Sequence, residues 1–344
     1  MPTEFGNAQK GDSSKGFEKL IFLGLFAVLL GGVPLISQIF GAFLPIPLCI
    51  SFLVYGRRTG LLFSLIVFGA LSFLHSLTKT TPNPVVITLY GVGLALIIAE
   101  FVKKNVHPTR AFLFGGFSLV TILGLLLFSS EFLFDFSIRE LVEKKIMFEV
   151  DFYKTGPGAK FLAQGGENTR FIQDVIDKPK DYIEKVMSWI PSAVFSTFFL
   201  SWWANFYLVL RNDKTWRGTA KDYPYSLNDF LKFRVAEPLI WLLIAALGLF
   251  LGGETLVGDV GVNAGKNILV CLGIFYFFQG FGLLIDFLIH AKVFGMLRML
   301  IFMSMIFLGM LSGIFLAVLG ILDNFKDFRE SFKKQSNDDE GDKL

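Results

Sequence analysis

The polar residues best suited to chemistry in this chain lie inside long apolar segments. In the stretch FGLLIDFLIHAK, Asp286 follows Gln279 by seven residues and precedes His290 by four. Residues at this spacing project from one side of an α-helix, so the three side chains share a face. Ionisable groups inside a membrane are costly and commonly mark ion or substrate pathways. The spacing predicts a proton relay or a group that binds a cation. The alternative is that Asp286 pairs with Lys292 near the cytoplasmic edge.

Two further side chains are predicted to contact a ligand. Gln38 lies near the outer end of the first apolar segment, and Trp203 belongs to an aromatic stretch that also holds Trp202 and Phe206. Aromatic ring faces can bind a ligand, but tryptophan is also typical of the membrane–water interface. Gln38 and Trp203 therefore join Gln279 and Asp286 as candidate ligand-binding residues.

Recognised catalytic and metal-binding motifs are absent from the sequence. We find no H-E-x-x-H, no G-x-S-x-G, no phosphate-binding loop and no dinucleotide fingerprint. The histidines His75, His107 and His290 lie on different segments without metal-ligand spacing. Cys49 and Cys271 are far apart and form no plausible disulfide framework. The sequence predicts a protein that is not an enzyme and that has no metal and no cofactor.

The composition indicates lipid as the main solvent of this chain. Of its 344 residues, 53% are hydrophobic, 18% are charged and 41 are phenylalanine, and the mean hydropathy is +0.59. Soluble domains carry about 25% charged residues, and a single water-soluble core could not bury this much apolar surface. The net charge of +3 is too small to indicate nucleic-acid binding. The composition predicts an integral membrane protein whose first partner is membrane lipid.

The apolar segments predict an all-α, polytopic transmembrane helix bundle with about nine spans. A membrane-spanning helix needs about 20 apolar residues, with a range of about 17–25. The second and seventh segments are short, so either could be re-entrant. The predicted spans are residues 20–40, 44–55, 60–76, 84–102, 111–129, 190–210, 238–251, 267–289 and 294–322.

The lysines and arginines of the short loops predict the orientation. With the polar tail of residues 1–19 in the cytoplasm, the short basic loops, including residues 211–237, all fall inside. The charged tail of residues 323–344 fits less well, because nine crossings would place its basic residues outside. Eight or ten crossings are the alternatives. We predict a multi-pass protein of the bacterial inner membrane with a cytoplasmic N-terminus.

Residues 130–188 separate two groups of predicted spans, residues 20–129 and 189–322, and form the only long polar stretch. Apolar residues from Phe134 to Ile146 recur at helical spacing, with charged residues on the opposite face. A second helical pattern begins at Phe171. These patterns predict a small amphipathic helical cap outside the cytoplasm, and the alternative is a solvated linker.

Small residues spaced four apart predict close helix packing. Ala27 and Gly31 have this spacing in the first span, and Gly309 and Gly313 have it in the last. Small residues one turn apart let two helices approach closely. Internal packing is one interpretation, and a face that binds a membrane protein partner is the other.

Several motifs, taken in order, resemble one family. They are PIPLCISFLVYGRRTGLL at residues 45–62, then WIPSAVFSTFF, LNDFLKFRVAEPLIWLL, FFQGFGLLIDFLI and LGILDNFKDFR. Together they resemble the YybS-like bacterial membrane proteins (domain of unknown function 2232). The resemblance implies an integral membrane protein and supplies no catalytic residue.

The first six spans also resemble, more distantly, the substrate-binding S components of energy-coupling-factor transporters. The resemblance implies that Pro45 and Pro47 lie in an outer element that helps to enclose a ligand. It also implies that Ala27 and Gly31 dock on a coupling subunit. The chain departs from this pattern by three additional spans and the long stretch of residues 130–188. Independently, a short helix interrupted by prolines points to a binding site, because its irregular backbone needs protein or water partners.

Two functions follow as hypotheses. The first is a protein that binds or transports a small molecule. It predicts a cavity open to the outside, roofed by residues 130–188 and lined by spans one, two and six. The second is a non-transporting scaffold that binds protein partners or lipid, with an apolar groove along the last span.

Overall fold

The fold is all-helical, as predicted. Every regular element that the computed structural model describes is an α-helix or a 3₁₀ turn. The residues described are 5–79, 83–134, 137–156, 158–162, 167–219, 223–326 and 328–330.

The helices follow one another with short connections. Single 3₁₀ turns occur at Gly41–Phe43 and Asp213–Thr215. The α-helices are α1 (Phe5–Gly32), α2 (Pro34–Phe40), α3 (Pro45–Thr78), α4 (Pro84–Lys103), α5 (Pro108–Phe134), α6 (Ile138–Lys154), α7 (Ala159–Leu162), α8 (Glu167–Asp177), α9 (Pro179–Arg211), α10 (Leu227–Leu231), α11 (Leu239–Leu256), α12 (Asp259–His290), α13 (Gly295–Leu308) and α14 (Met310–Phe325).

Several of these helices are long and apolar enough to cross a membrane. Among the described residues these are α3, α4, most of α5, α9 and α12, and α11 is a shorter apolar helix. Two bent pairs could each add one span: α1 with α2, bent by 91°, and α13 with α14, bent by 111°. A multi-pass membrane protein is therefore supported, with five to seven candidate spans instead of nine.

The second and third predicted spans correspond to the two arms of α3. Residues 45–55 lie before a kink at Gly56 and residues 60–76 lie after it, so α3 consists of two helical segments joined at this glycine. Gly56 has φ 83° and ψ 174°, a conformation that glycine adopts without a steric penalty. The basic residues after Gly56 indicate a loop in the sequence, whereas one glycine suffices for the change of direction.

The chain divides into two compact units. The first consists of Met1–Gly116 with Leu200–Phe233, and the second of Phe117–Phe199 with Arg234–Leu344. In the first unit, the start of α3 from Pro45 to Leu53 is buried throughout. In the same unit Ala27 is fully buried, and a Cβ at Gly31 would lie 3.1 Å from the Leu71 side chain, while a role of either residue in docking a partner stays a prediction.

In the second unit, glycines bring α12 against two other helices. A Cβ built at Gly265 would lie 2.7 Å from the Ala246 carbonyl oxygen of α11. A Cβ at Gly280 would overlap the Leu316 carbonyl oxygen of α14, and one at Gly320 would overlap that of Tyr276. Close contact between α12 and α14 therefore requires glycine at both of these positions.

Gly309 and Gly313 make no close helix contact among the described residues, and the other interpretation, a face that binds a protein partner, stays a prediction. Gly309 has φ 50° and ψ −117° and forms the break between α13 and α14. A Cβ at Gly313 meets nothing within 4 Å among the described residues. The small residues that make the close contact in α14 lie further along the helix, because the crossing point with α12 is at Gly320.

The stretch predicted to form a cap is helical. The predicted amphipathic pattern corresponds to α6, and the second pattern is divided between α8 and α9 at Pro179. Proline fits at the first position of α9, where its missing N–H is not needed. The predicted boundary between cap and span at residue 189 lies inside α9, which continues to Arg211 without interruption.

Candidate functional site

The predicted ligand-binding residues fall into both units. In the first, Gln38 is exposed, Pro45 and Pro47 are buried, and Trp203 is half-buried and stacks on Tyr207. In the second, Gln279 is fully buried and Asp286 is partly exposed. Two groups therefore need separate description: the proline element, and the network around Gln279.

At the proline element, protein side chains satisfy the irregular backbone. The Ala42 carbonyl, just before the prolines, accepts hydrogen bonds from Asn205 Nδ2 at 2.9 Å and from the Tyr90 hydroxyl at 3.1 Å. Tyr90 also shares a hydrogen bond with Ser201. The exposed carbonyl of this irregular backbone thus has protein partners, the side chains of Asn205 and Tyr90.

Gln279 is the centre of a buried hydrogen-bond network. Its Oε1 accepts from the backbone N–H of Val235 at 2.8 Å. Its Nε2 donates to Asp323 Oδ2 at 3.0 Å and to Asn324 Oδ1 at 2.9 Å. The amide thereby joins the segment before α11, the middle of α12 and the end of α14. Such a fully engaged, neutral side chain is suited to holding helices together.

Asp286 connects to the same network through Arg329. The Arg329 guanidinium is nearly buried, and its Nε lies 3.3 Å from Asp286 Oδ2. Its Nη2 donates to the Gln279 carbonyl oxygen at 3.4 Å. Arg329, which lies beyond α14, therefore links the Asp286 carboxylate to the backbone of Gln279, and a shared ligand-binding face of the two side chains stays a prediction.

Arg329, Asp323 and Asn324 were not predicted as site residues. They lie in the closing motif LGILDNFKDFR, in the part that the sequence assigns to the charged tail of residues 323–344. The sequence feature that could have identified them is the Asp323–Asn324 pair at the end of an apolar helix, where unpaired polar groups would be costly. Asp323 is only 3% exposed.

A second polar cluster lies where α9 meets α12. Lys266 Nζ donates to Ser188 Oγ at 2.8 Å and to Asn263 Oδ1 at 2.9 Å, and it lies 4.4 Å from the ring centroid of Trp189. Asn267 hydrogen-bonds the backbone of α9 next to Pro191. These contacts fix the junction of the two helices. Among the described residues, no group of three or more His, Cys, Asp and Glu side chains could share a metal ion.

A cavity lies elsewhere, between α6, α8 and the first turns of α9. Its volume is about 400 Å³. The lining is aliphatic and aromatic with two exposed charged residues, both from α6. The lining residues are Val142, Lys145, Ile146, Glu149, Val150, Tyr153, Phe171, Ile172, Val175, Ile176, Tyr182 and Val186.

This cavity differs in position from the one predicted. The sequence places a ligand cavity beneath residues 130–188 and among spans one, two and six, whereas the observed cavity lies within residues 142–186. The amphipathic helices α6 and α8 turn their apolar faces toward each other and toward α9. The cavity between these faces therefore lies inside the predicted cap itself.

Helices of membrane length, with buried polar groups joined in hydrogen-bond networks, define a multi-pass integral membrane protein. A family model described as predicted membrane protein (DUF2232) matches residues 20–324. The chain therefore belongs to the DUF2232 family of predicted membrane proteins, and the resemblance read from its motifs is confirmed. Comparisons with curated proteins and with solved structures gave no significant match. The distant similarity to S components stays a prediction.

Proposed function

We propose that this membrane protein binds a small molecule with a largely apolar body in the cleft between α6, α8 and α9. The observation that carries the proposal is the cavity itself. Its volume of about 400 Å³ lies within the range of about 300–1,000 Å³ that is typical of ligand pockets. The ligand that fits such a lining best is a single-chain lipid or a molecule of similar shape.

The polar groups of the cavity suggest how such a ligand would be oriented. Tyr153 and Tyr182 combine aromatic faces with hydroxyl groups, and Lys145 and Glu149 are exposed one helical turn apart on α6. An apolar chain would occupy the interior, and a polar or charged end would meet these residues. This division between an apolar body and few polar groups is common in ligand sites.

The proline element and the Gln279 network have a structural role in this proposal. The Ala42 carbonyl and the Gln279 amide already have protein partners. A ligand at either place would have to displace those hydrogen bonds. The proposal keeps the predicted activity, small-molecule binding in a protein of the bacterial inner membrane with a cytoplasmic N-terminus, and moves the site to the predicted cap. Transport of the bound molecule is a further step in the same proposal.

The experiment uses a palmitic acid that carries a photoreactive diazirine, with the full-length protein in phosphatidylcholine nanodiscs. Mass spectrometry of the cross-linked protein should find the label on peptides of α6 and α8. Excess unlabelled palmitic acid should compete for it. In Val175→Trp the new indole fills the cavity, so we expect labelling to fall at least fivefold.

Gln173→Trp is the matched control, because Gln173 is exposed on the same helix and is not among the cavity-lining residues. Its labelling should equal that of the unchanged protein. Equal labelling of the two variants, or label confined to α3, α4 and α12, would overturn the proposal. Such a result would favour the second candidate, a non-transporting scaffold, for which the apolar and mostly exposed surface of α13 is the supporting observation.

A further inference from the structure

We infer that α13 and α14 form a re-entrant hairpin whose surface docks on the acyl chains of one membrane leaflet. The pair enters the membrane, turns at Gly309 and returns to the face from which it started. The inference is independent of the cavity and of its ligand. It rests on where the chain lies after α14.

The chain after α14 returns to the last turns of α12. Arg329 Nε lies 3.3 Å from Asp286 Oδ2, and Phe328 lines one small cavity together with Phe287. Asp286 is four residues from His290, where α12 ends. The segment that follows the helix pair is therefore held beside the end of α12.

The same end of α12 leads into α13. Only four residues separate His290 from Gly295, the first residue of α13. Helix pair α13–α14 thus begins beside the end of α12, and the chain that follows α14 returns to Asp286, one helical turn from that end. If the pair crossed the membrane, about 30 Å of hydrocarbon would separate its two ends. Asp286 and Lys292 are six residues apart, which is about 9 Å at the helical rise. Because Arg329 is paired with Asp286, the two ends of the helix pair cannot be about 30 Å apart.

The lengths of the arms agree with entry into one leaflet. Helices of 14 and 16 residues are about 21 Å and 24 Å long, each shorter than the hydrocarbon thickness. The helix direction bends by 111° between them. The corner has its own hydrogen bonds: Ser312 Oγ donates to the carbonyl oxygens of Met305 at 2.8 Å and Gly309 at 2.7 Å. Backbone that faces lipid requires such internal partners.

The surface of the hairpin fits acyl chains. Within the described part of the chain, none of the residues of α13 is buried. Phe307 is 85% exposed and Met310 is 81% exposed, on either side of the bend. Basic residues stand near both ends of the pair, Lys292 and Arg298 at its start and Lys326 at its end, where they would meet anionic headgroups.

The hairpin removes the ninth predicted crossing. The tail of residues 323–344 then lies on the same side as Lys292 and Arg298, and its basic residues obey the positive-inside rule. Of the alternatives that the charge pattern leaves open, this selects eight crossings, with each arm of α3 counted as one crossing and both termini in the cytoplasm.

The decisive experiment compares the sidedness of two cysteines. In a full-length background with Cys49→Ala and Cys271→Ala, Lys292→Cys and Ser336→Cys are labelled separately with a membrane-impermeant maleimide. Spheroplasts and inside-out vesicles expose opposite faces. We expect both positions to react in inside-out vesicles and at most a tenth as much in spheroplasts. Reaction of the two positions from opposite faces would overturn the hairpin.

Two further measurements complete the test. If a cysteine variant fails to fold, green fluorescent protein fused after Lys292 and after Lys334 gives the same comparison. Fluorescence is expected from both fusions, and its loss from one of them would contradict the hairpin.

A phosphatidylcholine with a diazirine-bearing acyl chain should cross-link α13 peptides, and Phe307→Cys should not react with the impermeant maleimide from either face. Reaction of that cysteine, or the absence of α13 cross-links, would overturn docking on lipid.

Discussion

The side-chain amide of Asn267 on α12 bridges the backbone of α9 beside Pro191. Its Oδ1 accepts from the Ser192 N–H at 2.9 Å, and its Nδ2 donates to the Ser188 carbonyl at 2.9 Å. Proline inside a helix removes one backbone donor and strains the preceding turn. Asn267 supplies hydrogen-bonding groups at that turn from a neighbouring helix, so the irregular part of α9 is stabilised by α12.

Replacement of Asn267 should therefore destabilise the second unit. Asn267→Leu preserves the size of the side chain but removes both hydrogen bonds to α9. We expect the free energy of unfolding to fall by about 1–3 kcal/mol, the usual cost of leaving buried polar groups unpaired. Denaturation in increasing dodecyl sulfate measures the change. Asn263→Leu is the control, because among the described residues its amide oxygen accepts from Lys266 and makes no contact with the backbone of α9. An equal loss in both variants would contradict the role of Asn267.

The crossing of α12 and α14 should tolerate no side chain at Gly320. A Cβ there would overlap the Tyr276 carbonyl oxygen, so Gly320→Ala must push the helices apart. We expect a loss of about 1–3 kcal/mol, typical of overpacking. Gly313→Ala, on the same helix with open space around it, should be neutral or slightly stabilising. Thermal unfolding in detergent compares the two, and equal melting temperatures would show that the close contact does not form.

The two acidic residues of the network should respond differently to neutralisation. Asp286→Asn weakens the ion pair with Arg329, which leaves a nearly buried guanidinium with less compensation. We expect a loss of about 1–3 kcal/mol, and also weaker transport if the protein transports its ligand. Arg329→Gln should lower stability to a similar degree, because it removes the other partner.

Asp323→Asn should preserve stability or increase it. Asp323 is buried. Among the described residues, the Gln279 amide is its only hydrogen-bond donor, and no ion pair with Asp323 is found. A neutral amide can accept the same hydrogen bond and avoids the cost of burying a charge. The melting temperatures of the Asp323 and Asp286 variants test this contrast. A larger loss in Asp323→Asn would indicate that its carboxylate has a role as a charged group.

Stability at low pH should depend in part on Asp229, in the basic loop of the first unit. A hydrogen bond from the Ser226 backbone N–H is the main reason that the pKa of Asp229 lies below its usual value. A lowered pKa in the folded state means that the stabilisation is present above the ordinary carboxyl pKa and is lost as the pH falls through the lowered value. Melting temperatures between pH 6 and 3 should therefore fall less steeply in Asp229→Asn than in the unchanged protein. Parallel curves would contradict this.

Part of the fold could be predicted from sequence because hydropathy and helical periodicity are local properties. The apolar segments predict an all-helical, multi-pass membrane protein, and the apolar spacing from Phe134 to Ile146 predicts the amphipathic helix α6. The lengths of individual spans were harder to predict. The second and third predicted spans are the two arms of α3, separated only by a kink at Gly56, and the predicted ninth span is two helices that bend at Gly309.

The sequence by itself determined that this is a membrane protein, that it is helical and to which family it belongs. These properties depend on composition and on the order of short motifs. Tertiary structure decided which residues work together. Asp286 meets Arg329, Gly280 meets Gly320, and the apolar faces of α6 and α8 enclose a cavity only because distant segments pack against one another. Such contacts depend on the angle and register at which helices cross, and no local pattern specifies either.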